Sequence, residues 1–374
     1  MDDFDTITII GVGLIGGSLG LAIKSLSNPP RVIGVSRREK TIAKALEVGA
    51  IDQGLTSIAD AVKDADLVFI ATPLNAIVGT IKKIVPLLKP GTIITDVGSA
   101  KSSIIESVEQ FLPDNLCFIG GHPMAGSEQQ GVSFASPTLF KNSFYLLTPT
   151  KHTNTADFRS LHSLLTSIGA QVLAVDPEKH DKIVSTLSHL PHIISATLVN
   201  LAGRQTKESK NLLLIAAGGF RDMTRIAASN PDMWRDICME NSEAILGSLE
   251  EFTKSLAVFK KNIQESNDKK LWEKFKEAQS IRKDLPKILH KDISELRELS
   301  IPVIDKPGVI SDITVTIGRL GINIRDIEIV HMTDYSGVLR LVVNGDKEAR
   351  TAAKALRELG CEVEVSMFYD RENP

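Results

Sequence analysis

One stretch near the start of the chain decides the fold of its first part: Thr6-Ile7-Thr8-Ile9-Ile10-Gly11-Val12-Gly13-Leu14-Ile15-Gly16. An apolar, β-branched run leads into a G-x-G-x-x-G pattern, and an apolar helical pattern follows it. A strand before the glycines and a helix after them are the context that distinguishes a dinucleotide-binding loop from a chance pattern. Gly11 would allow the tight turn, Gly13 would let the backbone approach a pyrophosphate, and Gly16 would pack helix on strand. We therefore expect this glycine loop to hold a dinucleotide cofactor at a helix N-terminus.

The residues after the second predicted strand choose between the two nicotinamide cofactors. An acidic residue is expected there, where it binds the ribose 2′-hydroxyl of NAD. This sequence has Ser36-Arg37-Arg38 instead. Ser36 can hydrogen-bond a 2′-phosphate, and Arg37 can pair with that phosphate and stack on the adenine. We expect NADP to be preferred; NAD remains the alternative, because the arginines could be a solvated pair on a loop.

Alternating strand and helix patterns fill the first part of the chain. Up to about residue 165, short runs such as Leu67–Ala71 alternate with amphipathic segments such as Ile77–Leu88. The runs are almost continuously apolar, as in strands that are buried on both faces. This order predicts an α/β domain over residues 1–170, with a doubly wound parallel sheet of the Rossmann type.

The rest of the chain changes character twice. Over residues 171–292 helical periodicity replaces the strand-like runs, which predicts an all-helical domain for dimerisation and substrate binding. Residues 297–374 read as strand, helix, strand, strand, helix and strand. Gly321 and Gly360 each follow a predicted helix, where a C-terminal cap favours glycine. This order predicts a ferredoxin-like βαββαβ domain.

The composition narrows the class of protein. At 374 residues, with 43% hydrophobic and 24% charged residues, the chain has enough apolar material for two or three packed domains. Its 43 Lys+Arg and 46 Asp+Glu give a net charge of −3, which argues against nucleic acid or an anionic membrane as a partner. Three widely spaced cysteines indicate a reducing compartment, and the start of the chain is acidic rather than basic. We expect a cytoplasmic protein.

Three segments that carry histidine or arginine follow the glycine loop. Gly120–Gly126 (GGHPMAG) ends a predicted strand, and the preceding strand ends in Asp96-Val97-Gly98-Ser99, so Ser99 and His122 should be spatial neighbours. The other two segments are Ser188–His192 (SHLPH) and Gly219–Ala227 (GFRDMTRIA). Each could instead be structural. Two histidines on one helix face could be half a metal site, but no acidic or cysteine cluster completes it, so we expect no metal.

Taken in this order, the glycine loop and these three segments resemble the prephenate dehydrogenase family, over about residues 5–290. The resemblance implies oxidative decarboxylation of prephenate to 4-hydroxyphenylpyruvate with NAD(P)+, a step in tyrosine biosynthesis. It implies that His122 accepts the proton of the substrate 4-hydroxyl, because histidine suits a base near neutral pH, and that Ser99 orients that hydroxyl. Substrate binding is implied for Arg225, which would hold a carboxylate, and for His192 and Glu128. His180 and His189 also match the family, with roles left open.

Residues 297–369 resemble an ACT domain, a module that commonly binds amino acids. Asp305-Lys306-Pro307-Gly308 joins the first strand to the first helix, and this turn would leave backbone N–H groups open to a ligand carboxylate. Asn323 could bind the ligand's other polar groups. We expect tyrosine to bind Asp305, Pro307, Gly308 and Asn323 in a feedback-regulated homodimer. A dimerising appendage without a ligand is the alternative.

Three other functions compete with prephenate dehydrogenase. Arogenate dehydrogenase differs only in an amino group on the substrate side chain, and no residue here separates the two. A nucleotide- and amino-acid-sensing regulator without turnover would not require Ser99, His122 and Arg225 together. A β-hydroxyacid dehydrogenase would use a catalytic lysine on its helical domain, and the sequence has no such motif.

Overall fold

The computed structural model describes residues 4–126, 129–205, 218–284, 296–304, 306–333 and 336–367. The chain forms two compact units, Met1–Ala257 and Val258–Pro374. None of the helices in these described ranges is long and apolar enough to cross a membrane.

An eight-stranded sheet organises the first unit. Its strand order is β3-β2-β1-β4-β5-β6-β7-β8, and every neighbouring pair is parallel except β6 and β7. The doubly wound Rossmann-type sheet predicted from the sequence is therefore confirmed. The strands are β1 (Thr6–Ile10), β2 (Arg31–Val35), β3 (Gln53–Leu55), β4 (Leu67–Ile70), β5 (Ile93–Asp96), β6 (Cys117–Pro123), β7 (Phe144–Thr148) and β8 (Gln171–Ala174).

Helices cover both faces of this sheet, and the sheet separates two apolar clusters. Ile7 and Ile9 of β1 belong to one cluster, and Ile10 belongs to the other. Because side chains alternate between the faces of a strand, burial on both faces explains the continuous apolar runs in the sequence. The helices of this part are α1 (Leu14–Lys24), α2 (Glu39–Glu47), α3 (Ile58–Val62), α4 (Ile77–Ile84), α5 (Ser102–Glu109) and α6 (Thr155–Ser167).

The two strands at the sheet edges, β3 and β8, were not predicted from the sequence. Both are short, begin with glutamine and lie only partly buried, so neither produces an apolar run. β8 pairs with β7 and extends the sheet to Ala174, just beyond the predicted boundary at residue 170. The boundaries 1–170, 171–292 and 297–374 otherwise stay predictions.

Helices follow β8 without further strands up to Asp284 among the described residues, as the periodicity predicted. They are α7 (Pro177–Val184), α8 (Leu190–Gln205), α9 (Gly218–Thr224), α10 (Pro231–Glu240), α11 (Ser242–Gln264) and α12 (Asp268–Asp284). A π-helical turn, Ser185–His189, joins α7 to α8. Such turns are uncommon and often lie at functional sites; this one carries His189 and leads directly to His192.

The second unit contains a four-stranded antiparallel sheet with the order β10-β11-β9-β12. Side chains of the helices Val309–Arg319 and Gly345–Glu358 pack with β9 and β11 in one apolar cluster, as in the predicted ferredoxin-like domain. Gly321 and Gly360 have φ angles of 70° and 93°, the left-handed conformation expected after a helix. The elements are β9 (Leu296–Ile304), α13 (Val309–Arg319), β10 (Ile324–Thr333), β11 (Ser336–Asn344), α14 (Gly345–Glu358) and β12 (Glu364–Met367).

Candidate active site

The glycine loop between β1 and α1 has the geometry that its sequence predicts. Gly11 has a φ of 104°, and a Cβ there would clash with the carbonyl oxygen of Ala71. A Cβ on Gly16 would clash with the carbonyl oxygen of Gly11, so this glycine allows α1 to pack against the strand. Gly13 has no neighbouring atom within 4 Å of its Cβ position. The loop therefore has open space where a pyrophosphate could approach the backbone.

A cleft of about 850 Å³ opens beside this loop. It brings together residues that are far apart in the chain: Gly13, Leu14, Ile15, Gly16, Ser99, His122, His192 and Arg225 all line it. Ser99 follows β5 and His122 lies near the end of the neighbouring strand β6, so both line the cleft at one edge of the sheet, as the sequence predicted. Among the described residues, Gly11 and Ser36–Arg38 are not part of the lining. Glu128 lies outside the described residues.

The segment Ser36–Arg38 follows β2 and precedes α2. The hydroxyl oxygen of Ser36 accepts a hydrogen bond from the backbone N–H of Arg38 at 3.3 Å. Arg37 and Arg38 are exposed, and Ser36 is half-buried. Both guanidinium groups are therefore accessible to a ligand. Their exposure fits a phosphate-binding pair and a solvated pair equally well.

A buried ion pair that the sequence analysis missed lies beneath the cleft. Lys101 is fully buried and pairs with Asp96, and its ammonium also donates to the carbonyl oxygen of Gly121 at 3.0 Å. Asp96 accepts the backbone N–H groups of Gly98 at 2.8 Å and Gly121 at 3.0 Å. Because a buried carboxylate is stable only when it is paired and hydrogen-bonded, these contacts fix the ends of β5 and β6 that carry Ser99 and His122.

A chain of hydrogen bonds runs from His122 into the helical part of the unit. His122 Nδ1 lies 2.9 Å from His180 Nε2, and His180 Nδ1 lies 2.8 Å from Asp181 Oδ1. The Asp181 carboxylate also accepts the backbone N–H groups of Lys101 at 2.9 Å and Ser102 at 2.8 Å. It thus caps the first turn of α5, where a negative charge is stabilised. His180 is fully buried, so its partners are fixed.

The electrostatic surroundings keep His122 neutral. Burial lowers the pKa of His122 well below its ordinary value of 6.5, and the neighbouring His180, Lys101 and His189 lower it further. Burial alone would raise the pKa of Asp181, but hydrogen bonds from His180 and Ser102 hold it below its ordinary value. At neutral pH the site therefore holds a neutral imidazole connected to a charged carboxylate, an arrangement suited to accepting a proton.

His189 and His192, the other two histidines predicted for the site, contact residues of α10 and of the turn that follows it. His189 Nδ1 lies 3.1 Å from the side-chain nitrogen of Asn241, and burial lowers the pKa of His189 to about 4. His192 lines the cleft and stacks on Trp234. Burial lowers the pKa of His192, as does the nearby positive charge of Arg225.

The described part of the chain contains no group of three or more His, Cys, Asp or Glu side chains placed to hold a metal ion. The cleft lining offers an imidazole, a hydroxyl and a guanidinium next to the glycine loop. Together with the parallel sheet, these groups define the class of protein: a dehydrogenase with the fold that binds nicotinamide nucleotides.

Comparison with known proteins gives the family within this class. The family model for the prephenate dehydrogenase nucleotide-binding domain matches residues 19–174, and the model for the prephenate dehydrogenase dimerization domain matches residues 176–277. The ACT domain model matches residues 298–361. The chain is 37% identical to prephenate dehydrogenase of Bacillus subtilis over 371 residues, which cover 98% of each chain. The chain belongs to the prephenate dehydrogenase family, as the sequence motifs indicated.

Other relatives carry related activities in their names. The chain is 35% identical to cyclohexadienyl dehydrogenase of Zymomonas mobilis over 285 residues, which cover 75% of this chain and 96% of the relative. Its fold matches a crystal structure of prephenate dehydrogenase from Aquifex aeolicus in complex with hydroxyphenyl propionate and NAD+. That match has a TM-score of 0.71 and 32% identity, and covers 75% of this chain and 98% of that one. Synechocystis arogenate dehydrogenase matches with a TM-score of 0.65 and 33% identity, over 74% of this chain and 99% of that one.

Proposed function

We propose that this chain oxidises prephenate at C4 and decarboxylates it to 4-hydroxyphenylpyruvate, with His122 as the base. One observation carries the proposal: the cleft that opens on the glycine loop is also lined by Ser99, His122 and Arg225. A hydride acceptor, a base and a carboxylate-binding cation are the three groups that this reaction requires. A sensor without turnover would not need all three on one cleft.

His122 and Ser99 have separate roles in the proposed reaction. His122 accepts the proton of the C4 hydroxyl, and Ser99 orients that hydroxyl by a hydrogen bond. The hydride that leaves C4 would pass to the nicotinamide ring of a cofactor bound at the glycine loop. Loss of the ring carboxylate as carbon dioxide then sends its bonding electrons through the ring to the C4 carbonyl oxygen. That oxygen takes a proton back, so the ring becomes aromatic and carries the 4-hydroxyl. Because burial holds the pKa of His122 below its ordinary value, its imidazole ring is uncharged at neutral pH and has a nitrogen able to take the C4 hydroxyl proton.

Two other residues that line the cleft, Arg225 and His192, bind the substrate. Arg225 makes a charge-assisted, bidentate contact to one substrate carboxylate, and His192 lies along the substrate against the indole of Trp234. The role of Glu128 in closing or orienting the pocket stays a prediction from the family resemblance.

Arogenate is the second candidate substrate. The relatives named above include a prephenate, a cyclohexadienyl and an arogenate dehydrogenase at 37%, 35% and 33% identity. Prephenate is favoured because the relative named for it covers 98% of this chain. The test is the specificity constant kcat/KM of the purified chain for prephenate and for arogenate, each with NAD and with NADP. A higher value with arogenate would reverse the assignment.

We further propose that NADP is preferred to NAD, although the Aquifex aeolicus structure contains NAD+. The support is local: Ser36 lies at the end of β2 with two exposed arginines after it, and no carboxylate occupies these three positions. A free 2′-phosphate would meet positive charge there rather than repulsion.

We also propose that the ACT domain binds tyrosine, and that the chain acts as a homodimer in the cytoplasm. Gly308, at φ 94°, is the N-cap of α13 and lies next to the exposed Pro307. Asn323 is exposed just before β10, and Asp305 lies outside the described residues. Asn323→Ala should weaken tyrosine binding to the full chain, measured by calorimetry. Asn115→Ala, at an exposed position of the first unit, is the matched control. Unchanged tyrosine affinity in Asn323→Ala would remove this residue from the effector site.

A further inference from the structure

The hydrogen bonds that connect His122, His180 and Asp181 end at the Asp181 carboxylate, and this acceptor determines where the protons lie. The Asp181 carboxylate accepts two backbone N–H groups, those of Lys101 and Ser102. Its pKa is held low by hydrogen bonds that outweigh the effect of burial, so it is ionised at neutral pH and has no proton to donate. The 2.8 Å contact with His180 Nδ1 therefore requires the proton to be on His180 Nδ1.

The proton position on His180 in turn determines the proton position on His122. A neutral imidazole has one N–H, so a proton on His180 Nδ1 makes His180 Nε2 an acceptor. The 2.9 Å contact between His180 Nε2 and His122 Nδ1 then requires His122 to donate from Nδ1. In a neutral ring this leaves His122 Nε2 without a proton. His122 lines the cleft and its Nδ1 is bonded to His180, so Nε2 is the ring nitrogen left for a substrate hydroxyl.

We propose, on the basis of the function proposed above, that Asp181 acts through His180 to fix His122 in the tautomer that carries its proton on Nδ1. In the other tautomer Nε2 would be a donor, and His122 could not accept the C4 hydroxyl proton. When that proton moves to His122 Nε2, the ring becomes cationic, and its Nδ1–H remains bonded through His180 to a carboxylate. Asp181 and His180 are positioning residues, because they act on the base and not on the substrate.

A purely structural role for Asp181 is the competing explanation, since its carboxylate also caps α5. Two variants separate the roles. His180→Asn removes the connecting ring but leaves the bonds from Asp181 to Lys101 and Ser102. Asp181→Asn weakens both the cap and the connection. Asp176→Asn is the matched control. Asp176 is the exposed N-cap of α7, the helix that contains His180 and Asp181, and asparagine caps about as well as aspartate.

The direct readout is the tautomer of His122 in the full chain, measured by nitrogen NMR on protein labelled with ¹⁵N-histidine. The chain has eight histidines, and His122→Asn and His180→Asn assign the two signals by their loss. The wild type and Asp176→Asn should carry the proton of His122 on Nδ1. His180→Asn and Asp181→Asn should move it, wholly or partly, to Nε2. A wild-type His122 protonated on Nε2, or a tautomer unchanged in both variants, would overturn the proposal.

Turnover supplies the second readout. Both variants should lower kcat for prephenate by up to about 10⁴-fold, the size of loss expected when a catalytic histidine is held in the wrong tautomer, with little change in KM for the cofactor. If Asp181→Asn does not fold, the wild-type spectrum and His180→Asn still decide. The NMR result does not depend on the substrate, so a wild type that carries the proton on Nδ1 but leaves prephenate unchanged would contradict the proposed function and leave the tautomer assignment standing.

Discussion

The imidazole ring of His192 lies stacked on the indole of Trp234, with ring centroids 3.6 Å apart and ring planes 24° apart. The ring of His189 meets the same indole edge-on, with centroids 5.9 Å apart. One side chain of α10 thus holds two histidines, one from the start of α8 and one from the π-helical turn before it. The stack sets the position of His192 on the wall of the cleft.

Removal of the indole should therefore disturb substrate binding. Aromatic pairs contribute about 0.5–1.5 kcal/mol beyond their buried area, so Trp234→Ala should raise KM for prephenate by about 2- to 12-fold. Trp234→Phe keeps an aromatic face and should stay close to the wild type. Steady-state kinetics with saturating cofactor checks both. An unchanged KM in Trp234→Ala would mean that the stack does not position a substrate-binding group.

Arg225 should act mainly on KM, because a carboxylate contact is present in the ground state and in the transition state alike. Hydrogen bonds to charged groups contribute about 1.5–3 kcal/mol, so Arg225→Ala should raise KM for prephenate by about 10- to 100-fold. Arg225→Lys should recover only part of this, since lysine lacks the bidentate fork. Arg221→Ala, an exposed arginine of α9 outside the cleft lining, is the control. A KM equal to that of the control would indicate a structural role for Arg225.

The cofactor preference can be reversed at two positions if the proposal is right. The wild type should have a higher kcat/KM with NADP than with NAD. Ser36→Asp combined with Arg37→Ala should invert the order, because a carboxylate binds a free 2′-hydroxyl and repels a 2′-phosphate. The readout is kcat/KM for each cofactor at saturating prephenate. A wild-type preference for NAD would refute the assignment of Ser36, Arg37 and Arg38.

Acid should destabilise the first unit through its buried histidines. The pKa of His189 falls to about 4 in the folded chain because of burial, and that of His122 is also lowered, against 6.5 for an ordinary histidine. The unfolded chain thus binds more protons than the folded chain between pH 6.5 and about 4. The stability from these groups is fully present above pH 6.5 and declines as the pH falls through that range.

The urea midpoint of the wild type should therefore fall between pH 7 and pH 5. His189→Asn should reduce that pH dependence, even if its midpoint at pH 7 is lower than that of the wild type. His152→Asn, at an exposed histidine, should leave the pH dependence unchanged. An equal pH dependence in the wild type and in His189→Asn would show that His189 does not titrate as its burial implies.

The elements with strong local patterns were predictable from the sequence. The glycine loop, the buried central strands and the βαββαβ order of the second unit each have a pattern within one short segment. The edge strands β3 and β8 were missed because they are short and partly exposed, so their residues carry no period-two or continuous apolar signal. Strand ends also placed Ser99 beside His122, because neighbouring parallel strands end at one edge of the sheet.

The groups that tune the base were not predictable in the same way. Lys101 follows Ser99 by two residues and resembles a solvated lysine on a loop, yet it is fully buried against Asp96. Asp181 meets the N-terminus of α5 from about eighty residues away, and no local pattern encodes that contact. Its place next to His180, a residue that matches the family, was a signal available in the sequence. Burial of charge depends on tertiary contacts, which spacing alone does not give.

The most direct test of the account is hydride transfer from prephenate in a single turnover, measured as reduced nicotinamide, in the wild type and in His122→Asn. The account predicts rapid reduction by the wild type, and a rate lower by about 10²–10⁴-fold in His122→Asn, the usual loss for a general base. Cofactor affinity, measured by fluorescence titration, should be the same in both proteins. A wild type that produces no reduced nicotinamide from prephenate, or a variant that reacts at nearly the wild-type rate, would contradict it.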